Sequence, residues 1–409
     1  MKMRRTLERH PHAVPTVLAF TAFIALGMPD GLTGVAWPSI RVSFNLPLDA
    51  LGLFLFAGMT GYLTSSSLSG PVVGRWGIGR VLAASCAMTG VGLIGYTLVP
   101  VWGMMVLLGL VSGLGAGAID SGLNAFVAAH FGERIMQWLH ASYGIGITSG
   151  PVIMTFALTH LNSWRLGYIM IGLFQLFLAL CFASTLTAWE HKKADMEERE
   201  PRRLTEYHTS LAETLRRPTA WMSAGLFFLY TGAEVSLGTW AYTLLVESRG
   251  IDAGSAGLWV GSYWAFFTAG RLAAGLYAKR MGVHLIVIFS LMLALLGAAW
   301  LWWNPSDQAN LWAVALIGLA IAPVFAALMS GTSGRVGVPF AANTIGMQLA
   351  AGGLGAAIIP GLVGVLARRT SLEVIPLCLM ALFAAELGLY ALAVNASSRS
   401  GHRLAAERL

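Results

Sequence analysis

The stretch GAGAIDSGLNAFV, residues 115–127, places a single carboxylate, Asp120, in an apolar and glycine-rich run. The surrounding segment, 102–128, is long enough to cross the hydrocarbon core of a bilayer, which takes about 20 residues as a helix. A charged side chain at that depth costs roughly 2.5–3.5 kcal/mol on insertion scales. Asp120 therefore needs a partner, a proton or a water-filled cavity.

The composition of the whole chain agrees with a membrane location. Of its 409 residues, 56% are hydrophobic and 11% are charged, whereas roughly 25% of the residues of a soluble domain are charged. Apolar runs of about 18 residues or more recur between Val14 and Val394, and each can span a bilayer. We therefore predict a polytopic membrane protein that is embedded in a lipid bilayer.

Breaks at polar and Pro/Gly-rich joints divide the chain into predicted helices and one long hydrophilic segment. We expect an all-α protein with an amino-terminal six-helix bundle at 1–189, a cytoplasmic linker at 190–218, and a carboxy-terminal six-helix bundle with a short tail at 219–409. The twelve predicted transmembrane helices lie near 14–37, 50–70, 80–99, 102–128, 137–160, 165–188, 219–246, 254–278, 283–303, 310–333, 342–367 and 374–395.

The lysines and arginines predict the orientation. They concentrate before the first helix, in the linker, in the tail and in the loops on the same side, and cytoplasmic loops carry such an excess. This predicts a multi-pass protein of the cell inner membrane with both termini in the cytoplasm. Because these charges form short clusters between apolar runs rather than one basic domain, we expect no nucleic-acid partner.

The two halves of the sequence also resemble each other. An offset of 205 residues places Arg75 on Arg280 and Gly77 on Gly282, and an offset of 209 residues places Gly146 on Gly355. This ordered series predicts two pseudo-symmetric repeats, related by an axis along the membrane normal, as in transporters that rock two halves about a central site.

Signatures of soluble enzymes are absent from the sequence. It contains no GxxxxGK[ST] phosphate loop, no HExxH and no CxxC pair. Cys86, Cys181 and Cys378 lie in apolar runs and are interpreted as small hydrophobic residues. We therefore expect no enzyme activity, no catalytic residue, no metal and no cofactor. Because the sequence contains no ATP-binding motif, we expect an ion gradient rather than ATP to drive any transport.

Two acids of the first half are candidates for proton coupling and substrate binding. Asp120 shares a small, polar helix face with Asn124, which is a further candidate for substrate binding. Asp30 follows Pro29, where a bent or broken helix would offer polar backbone to a substrate. The structural alternatives are a protonated Asp120 bonded to a neighbouring helix, and an Asp30 that only satisfies amides freed at the kink.

The fifth helix adds two further candidates. His140 and Tyr143 lie on one face of that helix. His140 is placed to meet Asp120 and relay protons, with a merely interfacial histidine as the alternative. Tyr143 is a candidate for substrate binding.

The second half carries the remaining substrate-binding candidates. Glu234 lies near the middle of the seventh helix, one turn after Tyr230, and Trp240 follows it. Trp240 suits the flat face of a sugar-like ligand, or else it is an interfacial aromatic residue. Asn343 and Gln348 are predicted to line the site from the eleventh helix.

Two further charges lie inside predicted helices. Arg271 is expected to extend its guanidinium to the headgroups, with an ion pair to an acid as the alternative. Glu386 is expected to face a partner helix or headgroup water.

The turns between helices 2 and 3 and between helices 8 and 9 are glycine-rich and basic, and we expect them to gate the cytoplasmic side. The residues predicted to form them are Gly70, Arg75, Gly77, Arg80, Lys279 and Arg280.

These features resemble the major facilitator superfamily across nearly the whole chain. Asp30 in the first helix, GLGAGAIDSGLNAFV in the fourth and GAEVSLGTWAYTLL in the seventh resemble the branch of the L-fucose–proton symporter and related sugar-transporter-like proteins. That resemblance implies the major facilitator fold and makes Asp30 and Asp120 the substrate-binding and proton-carrying acids. The chain departs from the family at Gly74, where the usual turn between helices 2 and 3 has an aspartate.

The leading hypothesis is a monomeric secondary transporter that moves a small polar solute, a sugar or polyol, with protons by alternating access. Sodium is the alternative coupling ion. Proton-driven efflux of amphipathic compounds and a non-transporting membrane sensor with the same fold are the competing functions.

Overall fold

The structure is a computed structural model that describes residues 13–131, 133–189 and 209–406, and these residues form helices and loops without strands. Most of the predicted linker, 190–208, lies outside the described residues. In the first half, the long helices are α1 (Ala13–Phe44), α2 (Leu51–Trp76), α3 (Ile78–Leu98), α4 (Trp102–His130), α5 (Glu133–His160) and α6 (Trp164–Ser184).

The second half is also helical, and only some of its helix breaks lie where the sequence predicts a helix end. Its helices are α7 (Pro218–Thr243), α8 (Ala253–Trp303), α9 (Asp307–Ile321), α10 (Val324–Ser330), α11 (Ala341–Arg369) and α12 (Val374–Ala406). Short helices at Leu186–Trp189, Leu211–Leu215 and Thr332–Val336 connect them. α8 breaks at Gly282, whose φ of 75° lies in the left-handed region, so its two arms correspond to the predicted helices 8 and 9. The predicted helix 10 is divided by Pro323 into α9 and α10.

Ten helices in the described part of the chain are long and apolar enough to cross a membrane. They include neither α7 nor the first arm of α8. These two segments are long helices as well, but they are rich in Gly, Ser, Thr, Trp and Tyr and carry Glu234 and Arg271, which lowers their mean hydropathy. The all-α, membrane-spanning class predicted from the sequence is confirmed.

The Cα positions group into two compact units. Among the described residues, the first unit covers those up to Trp189 together with Asp252–Gly261, and the second covers 209–251 and 262–406. Division into bundles at 1–189 and 219–409 stays a prediction.

In the first unit α1 packs against α5, and α2 packs against α4. Glycines permit the closest approach of α1 to α5. A Cβ atom added at Gly146 would lie 2.0 Å from the carbonyl oxygen of Ile24, and one added at Gly31 would lie 2.2 Å from that of Ile147. Both distances are far below van der Waals contact, so small residues allow the two backbones to touch, as is common between membrane helices.

α1 is continuous through Pro29, which corrects the expectation of a broken helix there. Proline has no N–H, so the carbonyl of Ala25, four residues earlier, loses its helical donor. Gln175 on α6 supplies the replacement, donating from Nε2 to the Ala25 oxygen at 3.0 Å. This backbone carbonyl is therefore already bonded within the protein and does not face a substrate.

The second unit repeats this packing. α7 packs against α11 and α12, and a Cβ atom at Gly355 would lie 2.1 Å from the carbonyl oxygen of Phe228. Gly355 is the residue that the sequence repeat matches with Gly146. The repeat detected in the sequence thus marks the same type of helix crossing in both units.

One end of the second unit is held by a buried arginine. Arg249, whose side chain is 3% exposed, donates to both carboxylate oxygens of Glu373, at 3.0 and 2.6 Å. It also donates to the Leu301 carbonyl oxygen at 2.9 Å and to the Asn310 side chain. Arg249 thereby joins the α7–α8 connection to α8, α9 and the α11–α12 connection.

Replacing Arg249 by alanine is expected to lower the stability of the folded protein by roughly 1–3 kcal/mol, because buried acceptors lose their donor. The Arg249 guanidinium, hydrogen-bonded to Glu373, holds the pKa of that carboxyl below its usual value. The unfolded pKa of glutamate is about 4.3. The ionic part of the stabilisation is therefore full above that pH and is lost as the pH falls through the folded pKa.

Melting temperatures of purified protein at neutral and acid pH test this expectation. The difference between wild type and Arg249→Ala should narrow at acid pH, and Arg369→Ala, an exposed arginine at the end of α11, serves as the control. A difference that stays constant with pH would show that the ion pair with Glu373 adds no stability.

Candidate functional site

Asp120 lies on α4 in a polar cluster of the first unit. Tyr62 on α2 donates its hydroxyl to Asp120 Oδ2. Asn124, one turn along α4, donates from Nδ2 to Asp120 Oδ1 at 2.9 Å. Tyr62 was not among the candidates, although it lies in the polar stretch GYLTSSS, residues 61–67, which the sequence shows clearly.

Asp30 lies midway along α1 and is exposed. Tyr143 on α5 donates its hydroxyl to Asp30 Oδ2 at 2.7 Å, so the structure brings these two predicted residues together. Asp30 and Asp120 are close enough for their charges to interact. His140 also interacts electrostatically with Asp120, and its ring packs edge-on against Phe23 at a centroid distance of 5.9 Å.

This arrangement has a defined chemical capacity. Two carboxylates from α1 and α4 repel each other when both are ionised, so a bound cation or proton on either one lowers the energy of the pair. Each carboxylate accepts a tyrosine hydroxyl and keeps further lone pairs for a ligand. The chemistry of these described residues is suited to a proton or a small cation, and to the hydroxyl groups of a ligand.

Glu234 is the centre of a separate cluster in the second unit. Nη2 of Arg271 on α8 lies 4.0 Å from its Oε1 atom, and the Arg271 guanidinium stacks over Phe267, 4.2 Å from the ring centroid. The alternative weighed for Arg271, an ion pair with an acid, is present. A charge in the membrane interior is tolerated best beside its counter-charge.

Two buried tyrosines hold Glu234 in place. Tyr263 donates to the backbone oxygen of Glu234 at 2.9 Å. The Tyr230 hydroxyl interacts with the Glu234 carboxylate and donates to the Ile321 oxygen at 3.2 Å. Tyr263 was missed because it lies on α8, in a run of aromatic residues with no acid or base nearby in sequence.

The other three candidates of the second half have partners within the protein. Trp240 is fully buried and donates to the Pro360 carbonyl oxygen at 2.9 Å. Asn343 donates to the Thr209 oxygen and the Thr214 hydroxyl at 3.0 and 3.1 Å. Gln348 is fully buried and donates to the hydroxyls of Ser223 and Thr332 at 2.8 and 2.9 Å. The structure does not bring these side chains to Glu234.

The predicted gating turns are shorter than expected. α2 continues to Trp76, so Gly70 and Arg75 are helical residues and the turn consists of Gly77 alone, with a φ of 77°. Arg80 lies in the first turn of α3 and contacts the Trp76 carbonyl oxygen at 3.5 Å.

The corresponding turn in the second unit has the same form. Arg280 precedes the break in α8 at Gly282, while the side chain of Lys279 lies outside the described residues. Gly77 and Gly282, matched by the sequence repeat, share the left-handed conformation, which favours glycine at both turns.

Comparisons with known proteins agree with this architecture. The family model of the Major Facilitator Superfamily matches residues 18–360. Bypass of stop codon protein 6 of Saccharomyces cerevisiae is 25% identical over 407 residues, covering 90% of this chain and 80% of that protein. The glucose/mannose transporter GlcP of Bacillus subtilis is 22% identical over 355 residues, covering 85% and 86%. The sodium-dependent glucose transporter 1A of Mus musculus is 23% identical over 347 residues, covering 75% and 79%.

Solved structures share the fold. The nucleoside transporter NupG superposes with a TM-score of 0.77 at 12% identity, covering 92% of this chain and 98% of that one. A bacterial homologue of the lysosomal transporter Spinster, in an inward-facing and unoccupied conformation, gives a TM-score of 0.71 at 16% identity, covering 95% and 93%. The narrower resemblance to the L-fucose–proton symporter branch stays a prediction. With two thirds of its length or more matched by relatives and most of it by the family model, the chain belongs to the Major Facilitator Superfamily and is a multi-pass membrane transporter rather than an enzyme.

Proposed function

We propose that this protein is a secondary active transporter that moves a sugar or polyol across the inner membrane with protons, by alternating access. The observation that carries the proposal is that two carboxylates of one membrane-spanning unit, Asp30 and Asp120, each accept a tyrosine hydroxyl. Relatives named as glucose transporters support a sugar as the solute.

In the first unit, we assign proton carrying to Asp120 and solute binding to Asp30. Asp120 is half-buried and held by Tyr62 and Asn124, so it can keep a proton away from bulk water. Asp30 is exposed and, together with Tyr143, offers acceptors and a donor to the hydroxyl groups of a solute. His140 is assigned to proton exchange with Asp120. Charge repulsion between the two acids couples the events, because a proton on one changes the affinity of the other.

In the second unit, we assign solute binding to Glu234 and Arg271. A carboxylate and a guanidinium 4.0 Å apart balance each other's charge and still offer both acceptors and donors. This pairing favours a neutral solute with many hydroxyl groups over a charged one, since a charged solute would have to break the pair. The helix breaks at Gly77 and Gly282, with the basic residues Arg75, Arg80 and Arg280 beside them, are assigned to the cytoplasmic gates.

Sodium is the alternative coupling ion, because a sodium-dependent glucose transporter is among the relatives. Carboxylate oxygens are suitable ligands for that ion. Coupling to protons and coupling to sodium would use the same residues and differ in which of the two ions binds to Asp120.

Uptake by purified protein in proteoliposomes distinguishes proton coupling from sodium coupling. We expect labelled glucose or a related sugar to accumulate under an imposed pH gradient, and not under a sodium gradient at constant pH. A gradient of one pH unit supplies about 1.4 kcal/mol per proton, which sustains up to about tenfold accumulation for one proton per solute.

The solute is chosen beforehand by thermal shift against sugars, polyols, amino acids and nucleosides. A sugar that stabilises the protein should do so less in Asp30→Asn and in Glu234→Gln. Accumulation under the sodium gradient alone would replace the proton with sodium, and stabilisation only by compounds of the other classes would overturn the assignment of the solute.

A further inference from the structure

Glu386 lies on α12, in the interior of the second unit, and the site described above does not use it. Its side chain is 0% exposed. Neither carboxylate oxygen has a hydrogen-bond partner among the described residues. On the same helix face it is flanked by Leu379, Phe383 and Tyr390, which are also buried.

An ionised carboxylate in this position would be strongly destabilised. Taking a charge out of water without a partner is costly even after the protein relaxes. A protonated carboxyl group loses only the hydrogen bonds of a neutral group, which is a much smaller cost. The surroundings of Glu386 therefore suit its protonated form.

The helices packed around α12 supply few titratable groups, and these lie on either side of Glu386. α7 contributes Glu234, which interacts electrostatically with Glu386, and the buried Tyr230. The membrane-spanning part of α11, residues 341–367, contains no titratable residue.

On the other side of Glu386, one turn along α12, lies Tyr390. The short helix Thr332–Val336 contributes Arg335, which interacts electrostatically with Tyr390. α8 contributes His284, whose ring stacks on Tyr390 with centroids 5.7 Å apart and 28° between the planes. His284 is exposed, so the groups on this side of Glu386 include one at the protein surface.

We propose that Glu386 is a proton-binding residue of the second unit and that it exchanges its proton with Glu234. In the transfer, the O–H bond of Glu386 breaks and an O–H bond forms on Glu234, and the negative charge passes to Glu386. Protonated Glu234 no longer attracts Arg271, so the guanidinium is released for the solute. Glu386 then regains a proton from water, on the side where Tyr390 and the exposed His284 lie.

The exchange with Glu234 rests on the proposed proton coupling, whereas the presence of a proton on Glu386 does not. Infrared spectroscopy of the purified protein tests the second point directly. The carbonyl stretch of a protonated carboxyl group, measured at neutral pH, should lose one component in Glu386→Gln. Asp307→Asn, an exposed acid at the start of α9, is the matched control and should leave this band unchanged.

Glu386→Asp guards against misfolding, because it keeps the carboxyl group and should shift the band rather than remove it. Melting curves of both variants establish that they are folded. An unchanged band in folded Glu386→Gln would show that Glu386 carries no proton, and would overturn the proposal.

Transport measurements test the proton exchange between Glu386 and Glu234. In proteoliposomes, Glu386→Gln should slow uptake driven by a pH gradient by at least about tenfold, while solute exchange without a gradient continues. Loss of the infrared component with undiminished uptake would overturn the exchange with Glu234. If wild type shows no proton-driven uptake, the proposed coupling fails, and the infrared result still decides whether Glu386 binds a proton.

Discussion

Asp120→Asn is expected to abolish accumulation of the solute against its gradient while leaving exchange across the membrane intact. Asparagine has nearly the same shape and still accepts a hydrogen bond from Tyr62, so the fold of the first unit is kept. It cannot gain or lose a proton, so an imposed pH gradient no longer does work on the solute. Accumulation should fall from the proton-driven ratio, up to about tenfold for one pH unit, to equal concentrations on both sides.

The measurement pairs gradient-driven uptake with counterflow of labelled solute in the same proteoliposomes. Asp307→Asn is the control, because it removes an exposed carboxylate far from α4 in sequence and should transport as wild type does. Tyr62→Phe, which removes one donor to Asp120 and keeps the ring, should give a reduced rate with coupling retained. Normal accumulation by Asp120→Asn under a pH gradient would contradict the role assigned to this carboxyl group.

Gly146→Ala is expected to be strongly disruptive in the first unit, although it adds a single methyl group. Its new Cβ atom would lie 2.0 Å from the Ile24 carbonyl oxygen and 2.8 Å from the carbonyl carbon. Backbone atoms cannot rotate away as a side chain can, so α1 and α5 must separate along their contact. We expect a loss of at least the roughly 1–3 kcal/mol that overpacking of a core costs.

The same methyl group at Gly103 on α4 provides the control, because no atom lies within 4 Å of the added Cβ there. Melting temperature and monodispersity of the two variants in detergent give the comparison, with Gly355→Ala expected to behave like Gly146→Ala because its Cβ would meet the Phe228 oxygen at 2.1 Å. Equal stability of the Gly103 and Gly146 variants would mean that the α1–α5 contact is looser than described.

Much of the candidate site could be anticipated because the acids are so rare in apolar sequence. Asp30, Asp120 and Glu234 are visible in the printed chain, since each interrupts a run of residues suited to lipid. Which tyrosine pairs with which acid could not be found in this way. Tyr62 is separated from Asp120 by 58 positions, and Tyr143 is separated from Asp30 by 113.

The sequence does not show which distant residues come into contact, and this also explains why some predicted site residues have partners away from the site. Gln348 and Trp240 are polar or amphipathic residues in transmembrane helices, as residues that bind a solute are, but they bond to Ser223, Thr332 and the Pro360 carbonyl. Arg271 lies far from Glu234 in sequence, and only the folding of the second unit places its guanidinium beside that carboxylate.

By itself, the sequence determined the class of the protein, the approximate positions of the long helices, the internal repeat and the glycines of the closest crossings. These depend on local composition and on spacing along one chain, and both can be read directly. The tertiary structure alone decided which face of each helix meets which neighbour. Lipid is as apolar as a protein core, so hydrophobic periodicity does not reveal the rotation of a membrane helix about its axis. The hydrogen bonds of Asp30 and Asp120, the ion pair of Glu234 and the burial of Glu386 all depend on that rotation.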